Sequence, residues 1–292
     1  MRLLVGIATT GRAPILTETI RALTLQERLP DALLLSVGGE GDLEPEAVLG
    51  LPFPVEVLEG PKGLTKQRNR MIEACGPEDV VMMIDDDFLL APDYLRRCEE
   101  IFAANADVVM LTGTVLADGI GGAGFDHEMG RDRLAEGLRQ PAGSGLSEAY
   151  NGYGCNMAFR TGPALAHDLR FDEDLPLYGW LEDVDFSRRL AAHGRIVKAE
   201  ATRGVHLGTK TGRSPGKKLG YSQIINPVYM IRKGTLAPRR AFRLMLGNLG
   251  KNILRTPFPE PWVDRWGRLK GNLLALADVA RGRIDPTRVL EM

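Results

Sequence analysis

Three consecutive carboxylates, Asp85, Asp86 and Asp87, directly follow the apolar run Val80-Val81-Met82-Met83-Ile84. In open α/β sheets, ligands sit outside the carboxyl ends of the strands, which is where this run stops. Adjacent carboxylates repel one another, and a bound cation lowers that cost. Hard oxygen ligands suit Mg²⁺ or Mn²⁺. Alternate residues of an extended chain point the same way, so Asp85 and Asp87 are expected to share one site while Asp86 faces elsewhere. Two readings of the triplet stand side by side: a metal or diphosphate site, and a solvated acidic turn capping the next helix. The run Gly119-Ile120-Gly121-Gly122-Ala123-Gly124 has the spacing of a dinucleotide loop. It leads into Phe125-Asp126-His127-Glu128 rather than an apolar helix, so it is read as a chance match. Cys75, Cys98 and Cys155 are odd in number and widely spaced. They suit neither a disulfide framework nor a zinc site, and a reducing cytoplasm is the simplest setting.

The elements that must position these residues follow from the pattern of the chain. Residues 3–8 form a continuous apolar run, as a buried parallel strand requires; 33–37 read as a second buried strand, 54–58 as a short third, 80–84 as a fourth, apolar one, and 108–115 as another. Residues 13–25, 65–74 and 94–104 read as helices between them. Strands alternating with helices predict right-handed βαβ units on a mostly parallel sheet. Residues 117–150 hold eight glycines and no strong period, so a long loop or insertion is expected. Sheet character returns at 151–160, a helix is predicted at 181–193, and a last strand at 196–201. Beyond about residue 220 the chain turns helical and basic. Phe242, Met245, Leu246, Leu249 and Ile253 keep helical spacing on one side, with Arg240, Arg243, Lys251 and Arg255 on the other. Three prolines in residues 256–261 separate this helix from one near 269–279.

The run from Met82 to Leu95 resembles the Asp-x-Asp segment of family-2 glycosyltransferases of the GT-A fold, and four more segments agree in order. Val5 to Arg12 resembles the first strand and its nucleotide-contacting turn. Gly63 to Asn69 resembles the Arg-Asn helix start beside the nucleotide. Asn151 to Arg160 resembles the strand lining the sugar pocket, and Tyr178 to Arg189 the acidic motif that carries the catalytic base. The likeness covers about residues 3–210. It implies an α/β GT-A (Rossmann-like) domain over residues 1–219, with a mostly parallel central sheet flanked by helices. A helical, basic C-terminal extension follows over 220–292.

The resemblance implies metal-dependent, inverting transfer of a sugar from a nucleoside diphosphate sugar to an acceptor hydroxyl. Asp87 and Asp85 then hold the divalent cation, Mn²⁺ or Mg²⁺, with His206 as a further ligand, although a lone histidine suits a structural role equally. Asp183 is the base, beside Glu182; both acids also suit a helix N-terminus. Thr9, Thr10, Arg12, Lys66, Arg68, Asp85, Asp86, Asn156, Trp180, Lys210 and Arg213 are the expected nucleotide-sugar contacts. Lys66 and Arg68 either meet phosphate, support the base loop or lie on a solvated helix face. Asn156 either binds a donor hydroxyl or is a satisfied buried amide. Trp180 and Tyr178 either pack on a sugar ring or anchor their loop. Lys210 and Arg213 belong to a basic loop suited to closing over a diphosphate. The acid that often reads uracil after the second strand has no plain counterpart. Glu40 or Asp42 is the candidate, and the nucleotide base stays open.

The formal net charge of −1 hides a division. Residues 1–194 carry 17 basic and 32 acidic side chains, while residues 195–292 carry 20 and 6. A chain 44% hydrophobic and 26% charged can bury a full core and is not disordered. No recognised nucleic-acid motif accompanies the basic end, so no nucleic-acid partner is expected. The N-terminal apolar run is too short for a signal peptide, and no apolar run reaches the ~18 residues of a membrane span. A cytoplasmic protein is expected. The tail helix either packs its apolar face on the domain or attaches peripherally at the inner face of the membrane, where a lipid-linked acceptor would lie. The acceptor class is a saccharide or lipid-linked saccharide, in surface polysaccharide or glycolipid assembly. Two rivals are a sugar nucleotidyltransferase and a non-catalytic sugar-nucleotide-binding protein. The first wants a glycine-rich loop with lysine where this chain has Thr9-Thr10-Gly11-Arg12.

Overall fold

The computed structural model describes residues 1–212 and 214–292; the expected contact Arg213 lies outside the described residues. The chain begins β1 (Leu3–Thr9), α1 (Ala13–Leu23), β2 (Ala32–Val37), β3 (Val55–Glu59), α2 (Leu64–Glu73) and β4 (Val80–Asp85). It continues β5 (Phe88–Leu90), α3 (Tyr94–Ala104), β6 (Val108–Asp118), α4 (His127–Leu138), β7 (Leu146–Glu148), β8 (Asn156–Arg160), α5 (Thr161–Ala166) and α6 (Glu182–Leu190). The last elements are β9 (Arg195–His206), α7 (Gly216–Lys233), α8 (Pro238–Arg255) and α9 (Arg265–Ala280).

The strands form one sheet in the order β3-β2-β1-β4-β8-β6-β9-β5, with β7 also paired to β9. Six strands run in one direction, and β8, β5 and β7 oppose them. Both faces are covered, which is why the central strands are apolar without alternation. Leu3, Val5 and Ile7 of β1 pack in one cluster with Leu16 and Ile20 of α1 and Leu95 and Phe102 of α3. Leu4, Val81 and Met83 pack on the other face with Met71 and Ile72 of α2 and Phe186 and Leu190 of α6. The register pairs Thr9 with Val37 and Ala8 with Asp85. The ends of β1, β2 and β4 are therefore level, and the turns beyond them open on one cleft.

Four features differ from the sequence pattern. Phe88–Leu90, which lies outside every predicted element, is a short strand that pairs antiparallel with the end of β9, placing Phe88 opposite His206. The last strand runs past its expected end at Ala201 and on to His206, because β5 and β6 give its far half partners. Residues 117–150 are not one loop. They hold α4, opened by the Asp126 side chain accepting from the Met129 N–H (2.8 Å), and β7. α4 is mostly exposed, so it lacks the apolar period that marks a packed helix. The chance glycine match is a tight turn: a Cβ on Gly119 would lie 2.0 Å from the Leu207 carbonyl oxygen. Gly119 and Gly124 let this backbone pass close to that of Leu207 and Gly208.

The C-terminal helices form their own layer around Tyr221, Ile224, Ile225, Met245, Ala275 and Val289. It joins the rest through Val184 of α6, which packs with Met230, Leu236 and Ala241. The expected boundary between residues 219 and 220 falls inside α7, whose first residue is Gly216. The expected single apolar face of α8 is divided: Met245 is buried, whereas Phe242, Leu246 and Ile253 are exposed.

Candidate active site

A cleft of about 480 Å³ lies beyond the ends of β1, β2 and β4. Thr9, Thr10 and Arg12 line it from the turn after β1, and Lys62, Leu64 and Gln67 from the start of α2. Asp85, Asp86 and Asp87 form its floor with His206, and Tyr178 and Trp180 stand at the side. Gln223 of α7 and Arg268 of α9 close it from the helical layer.

The triplet divides as strand geometry requires. Asp85 and Asp87 offer carboxylate oxygens that, with a ring nitrogen of His206, all lie within 4.8 Å of one another. The His206 Nε2 is 3.4 Å from Asp87 Oδ1 and 3.8 Å from Asp85 Oδ2. Two hard oxygens and an imidazole are a donor set that fits Mn²⁺ or Mg²⁺. On the far side of the ring, His206 Nδ1 meets Asp118 Oδ1 at 2.9 Å, and the Tyr153 hydroxyl donates to the other Asp118 oxygen (2.9 Å). That carboxylate fixes which way the imidazole faces, as outer partners of metal-bound histidines do. Burial alone would raise the Asp87 carboxyl, but His206 outweighs it and holds it at about 2. Burial would lower the His206 imidazole, yet Asp118 and Asp87 push it up to about 10. The cluster is a strongly negative field that takes a positive charge.

Asp86 does not point at that centre. It accepts from Thr9 Oγ1 (2.7 Å) and Arg12 Nη1 (2.9 Å), and burial pushes its carboxyl up to about 6 against the pull of Arg12. Both its oxygens are engaged, so it holds Thr9 and Arg12 of the turn after β1 together. Arg12 also donates from Nε to the Thr211 carbonyl (2.8 Å), tying the turn to the basic loop. Thr10 donates to the Thr9 carbonyl, and Lys210 donates to the Gly119 and Ile120 carbonyls, each at 3.0 Å. In this arrangement Lys210 ties its loop to Gly119 and Ile120.

Three expected donor contacts are placed elsewhere. Arg68 is buried in α2 and pairs with Glu182, while its Nη2 donates to the Gly154 carbonyl (2.7 Å) and lies 3.5 Å from Asp85. Burial would lower its guanidinium, but Glu182, Asp85 and Asp183 outweigh that and keep it charged. A buried arginine surrounded by acids ties α2 to the start of α6. Lys66 lies on the exposed face of α2, and Lys62 takes the cleft position instead. Asn156 is fully buried and accepts from Thr112 Oγ1 (2.8 Å), the buried-amide alternative, with its Nδ2 left unpartnered. Asp42 accepts from the N–H groups of Gly11 (2.6 Å) and Gly38 (2.9 Å). It joins the turns after β1 and β2, and Glu40 is exposed.

Asp183 sits in the first turn of α6, half-buried, where its Oδ2 accepts from the Gly154 N–H (2.9 Å). Burial raises both the Glu182 and Asp183 carboxyls, and Arg68 draws them back only in part. The loop before them is strained: Leu177 and Leu181 hold positive φ values of 60° and 75°, costly for non-glycine residues. It carries Tyr178 and Trp180 to the cleft, and the Trp180 carbonyl accepts from Asn226 of α7 (2.8 Å).

Breaking the Arg68 pair has a definite expected result. Arg68→Met leaves Glu182 buried without its counter-charge and should cost about 3–5 kcal/mol of stability. The double variant Arg68→Met with Glu182→Leu should recover most of it. Urea unfolding midpoints of the three proteins decide this.

Asp118, Tyr153, Gln67, Lys62 and Arg268 escaped the sequence reading. Asp118 had a signal, since it ends a strand as Asp85 does. Gln67 donates to the Thr9 and Ser36 carbonyls (2.7 and 2.8 Å), locking α2 to the ends of β1 and β2. Arg268 had none, because only packing of α9 brings it to the cleft.

The solved structures that this chain is similar to share the arrangement of its layers. A mannosyltransferase from Pyrobaculum calidifontis, PcManGT, solved with GDP-Man and Mn²⁺, is 18% identical, with a TM-score of 0.57. The match covers 99% of this chain and 78% of that one. TarS residues 1–349 from S. aureus, solved with UDP-GlcNAc, is 15% identical over 100% of this chain and 91% of that one, with a TM-score of 0.58. These likenesses identify the fold as GT-A. No curated protein sequence matches the chain. The profile of glycosyl transferase family 2 matches residues 4–161, from β1 through the carboxylate triplet to the end of β8. With more than half of its length inside that profile, the chain belongs to glycosyl transferase family 2.

Proposed function

We propose that this chain is a metal-dependent, inverting glycosyltransferase that moves a sugar from a nucleoside diphosphate sugar to an acceptor hydroxyl. The observation that carries this reading is the convergence of Asp85, Asp87 and His206 on the cleft floor, with Asp183 in the first turn of α6 nearby. A divalent cation held there would stabilise the negative charge that develops on the leaving diphosphate. The chain's own residues do the rest. Thr9, Thr10 and Arg12 present the nucleotide-contacting turn, and Asp86 keeps it in register. Asp118 orients His206. Gly154 and Arg68 hold Asp183 and Glu182, so that Asp183 can take the acceptor proton as sugar transfer proceeds. Trp180 and Tyr178 offer aromatic faces to a sugar ring. Lys210 and Arg213 belong to the loop that closes over the diphosphate.

In this reading residues 1–219 are the transfer domain and 220–292 an extension of it. The protein is cytoplasmic, and the acceptor is a saccharide or lipid-linked saccharide used in surface polysaccharide or glycolipid assembly. The metal is Mn²⁺ or Mg²⁺. A nucleotidyltransferase reading is disfavoured by the turn after β1, which holds no glycine-rich lysine loop.

The test is a panel of GDP- and UDP-sugars with Mn²⁺ and saccharide acceptors, read as acceptor-dependent release of nucleoside diphosphate. Binding of a donor without transfer to any acceptor would favour a non-catalytic protein. The pH profile gives a second check. A base works ionised, and burial raises the Asp183 carboxyl above its ordinary value. Activity should therefore rise with pH along an acid limb displaced upward from the usual carboxylate range, a limb that belongs to the Glu182–Asp183 pair. A limb at the ordinary aspartate position would count against Asp183.

A further inference from the structure

Ten of the large apolar side chains left exposed in the fold lie between residues 242 and 290. Phe242, Leu246 and Ile253 form one outer row of α8, and Leu254 beside them is 78% exposed. The connection to α9 adds Phe258, 82% exposed, and Trp262. α9 continues with Trp266 and Leu273, 56% and 55% exposed. Side chains of this size, following one another along two helices that pack together and along their connection, are more than the singly scattered apolar residues of an ordinary surface. The same helix is rich in one charge. α8 carries Arg239, Arg240, Arg243, Lys251 and Arg255 and no acidic residue. Arg239 stands three positions before Phe242 and Arg243 three before Leu246, so they edge the apolar row. On α9, the Lys270 ammonium lies 4.9 Å from the centre of the Trp266 ring.

We propose that α8, the connection and the outer side of α9 dock on an anionic lipid surface. An apolar row edged by arginines is the form of a helix that lies in the headgroup region, its rings and aliphatic chains inserted and its cations at the phosphates. Tryptophan and phenylalanine favour that boundary. Each basic side chain near a negative leaflet adds to the attraction. The helices lie on the surface and do not cross it, since no helix among the described residues is long and apolar enough to span. A protein partner would need acids to meet five cations and a matching apolar face; a lipid leaflet supplies both at once.

The docking face also leads to the cleft. A second cavity, of about 350 Å³, is lined by Lys251, Trp262 and Arg265 and shares Ile120, Ser214 and Arg268 with the carboxylate cleft. A protein seated on this face holds the cleft beside the headgroups, which suits an acceptor carried on a lipid. That consequence rests on the proposed transfer reaction, whereas the docking does not and is tested without substrate.

The full chain is mixed with sucrose-loaded vesicles of phosphatidylcholine alone or of equal parts phosphatidylcholine and phosphatidylglycerol, then centrifuged. The protein should pellet with the mixed vesicles, remain in solution with phosphatidylcholine alone, and be released by salt. Phe242→Ser with Leu246→Ser should weaken partitioning about tenfold or more, as the loss of two inserted side chains requires. Arg239→Gln with Arg243→Gln should weaken it on the mixed vesicles. Trp266→Phe gives a second, independent probe, because the fluorescence shift on vesicle binding should shrink with it. All these side chains are exposed, and circular dichroism checks that the fold is kept. No pelleting with mixed vesicles would overturn the proposal. So would pelleting that these substitutions leave unchanged, or a dimer in sedimentation equilibrium that Phe242→Ser with Leu246→Ser dissociates.

Discussion

Asp183→Asn is expected to lower kcat about a thousandfold, the range that removal of a positioned general base covers. The substitution keeps size and shape, and its side-chain oxygen can still accept from the Gly154 N–H. Donor binding should therefore stay near the wild-type level while turnover collapses. The split matters because Asp183 faces two explanations. As a mere helix N-terminal acid it would contribute only about 0.3–1 kcal/mol of stability and no rate. Calorimetric binding of the nucleoside diphosphate alongside a turnover assay separates them. A variant that turns over at near the wild-type rate removes Asp183 from the mechanism. Glu182→Gln supplies the contrast. Its carboxylate is buried against Arg68, so its loss should appear first as lowered stability.

Asp87→Ala is expected to weaken Mn²⁺ binding by more than about a hundredfold. Even the outer partners of metal ligands cost about 10–100-fold when removed, and Asp87 is proposed as a direct one. The readout is titration of Mn²⁺ in the presence of a nucleoside diphosphate, with the cation-dependent rise in melting temperature as a second measure. A ligand that binds only the folded state raises apparent stability by mass action, so the rise should vanish with the site. Asp86→Asn is the control within the same triplet. It touches Thr9 and Arg12 and not the cation cluster. It should leave Mn²⁺ affinity nearly intact and weaken the nucleotide. Equal losses of Mn²⁺ in the two variants would mean that the triplet acts as diffuse charge and not as a built site.

The sheet was legible because burial on both faces writes itself into composition. β1, β2, β4 and β6 are runs of Leu, Val, Ile and Met, and their ends at Thr9, Val37 and Asp85 could be placed to within a residue or two. The carboxylate triplet was legible for the same reason, since a charged residue directly after a buried strand has few structural uses. α4 was not, because an exposed helix leaves no apolar period, and its single marker was the Asp126 cap.

Residue chemistry and order along the chain thus determined the fold class, the family and the division of the triplet into Asp85 and Asp87 against Asp86. Those properties are local: they depend on strand burial and on the two-residue repeat of an extended chain. What Arg68, Asn156, Lys66 and the tail do was decided only in three dimensions. Whether Arg68 meets a phosphate or a carboxylate depends on where α6 packs, 114 residues away in sequence. Whether His206 joins the carboxylates depends on the short β5 pairing with the end of β9. The fate of the apolar row on α8 turns on whether α7 and α9 cover it, and they cover Met245 but leave Phe242, Leu246 and Ile253 to solvent. A sequence states which groups can interact; only packing selects which of them are close enough, and dry enough, to do so.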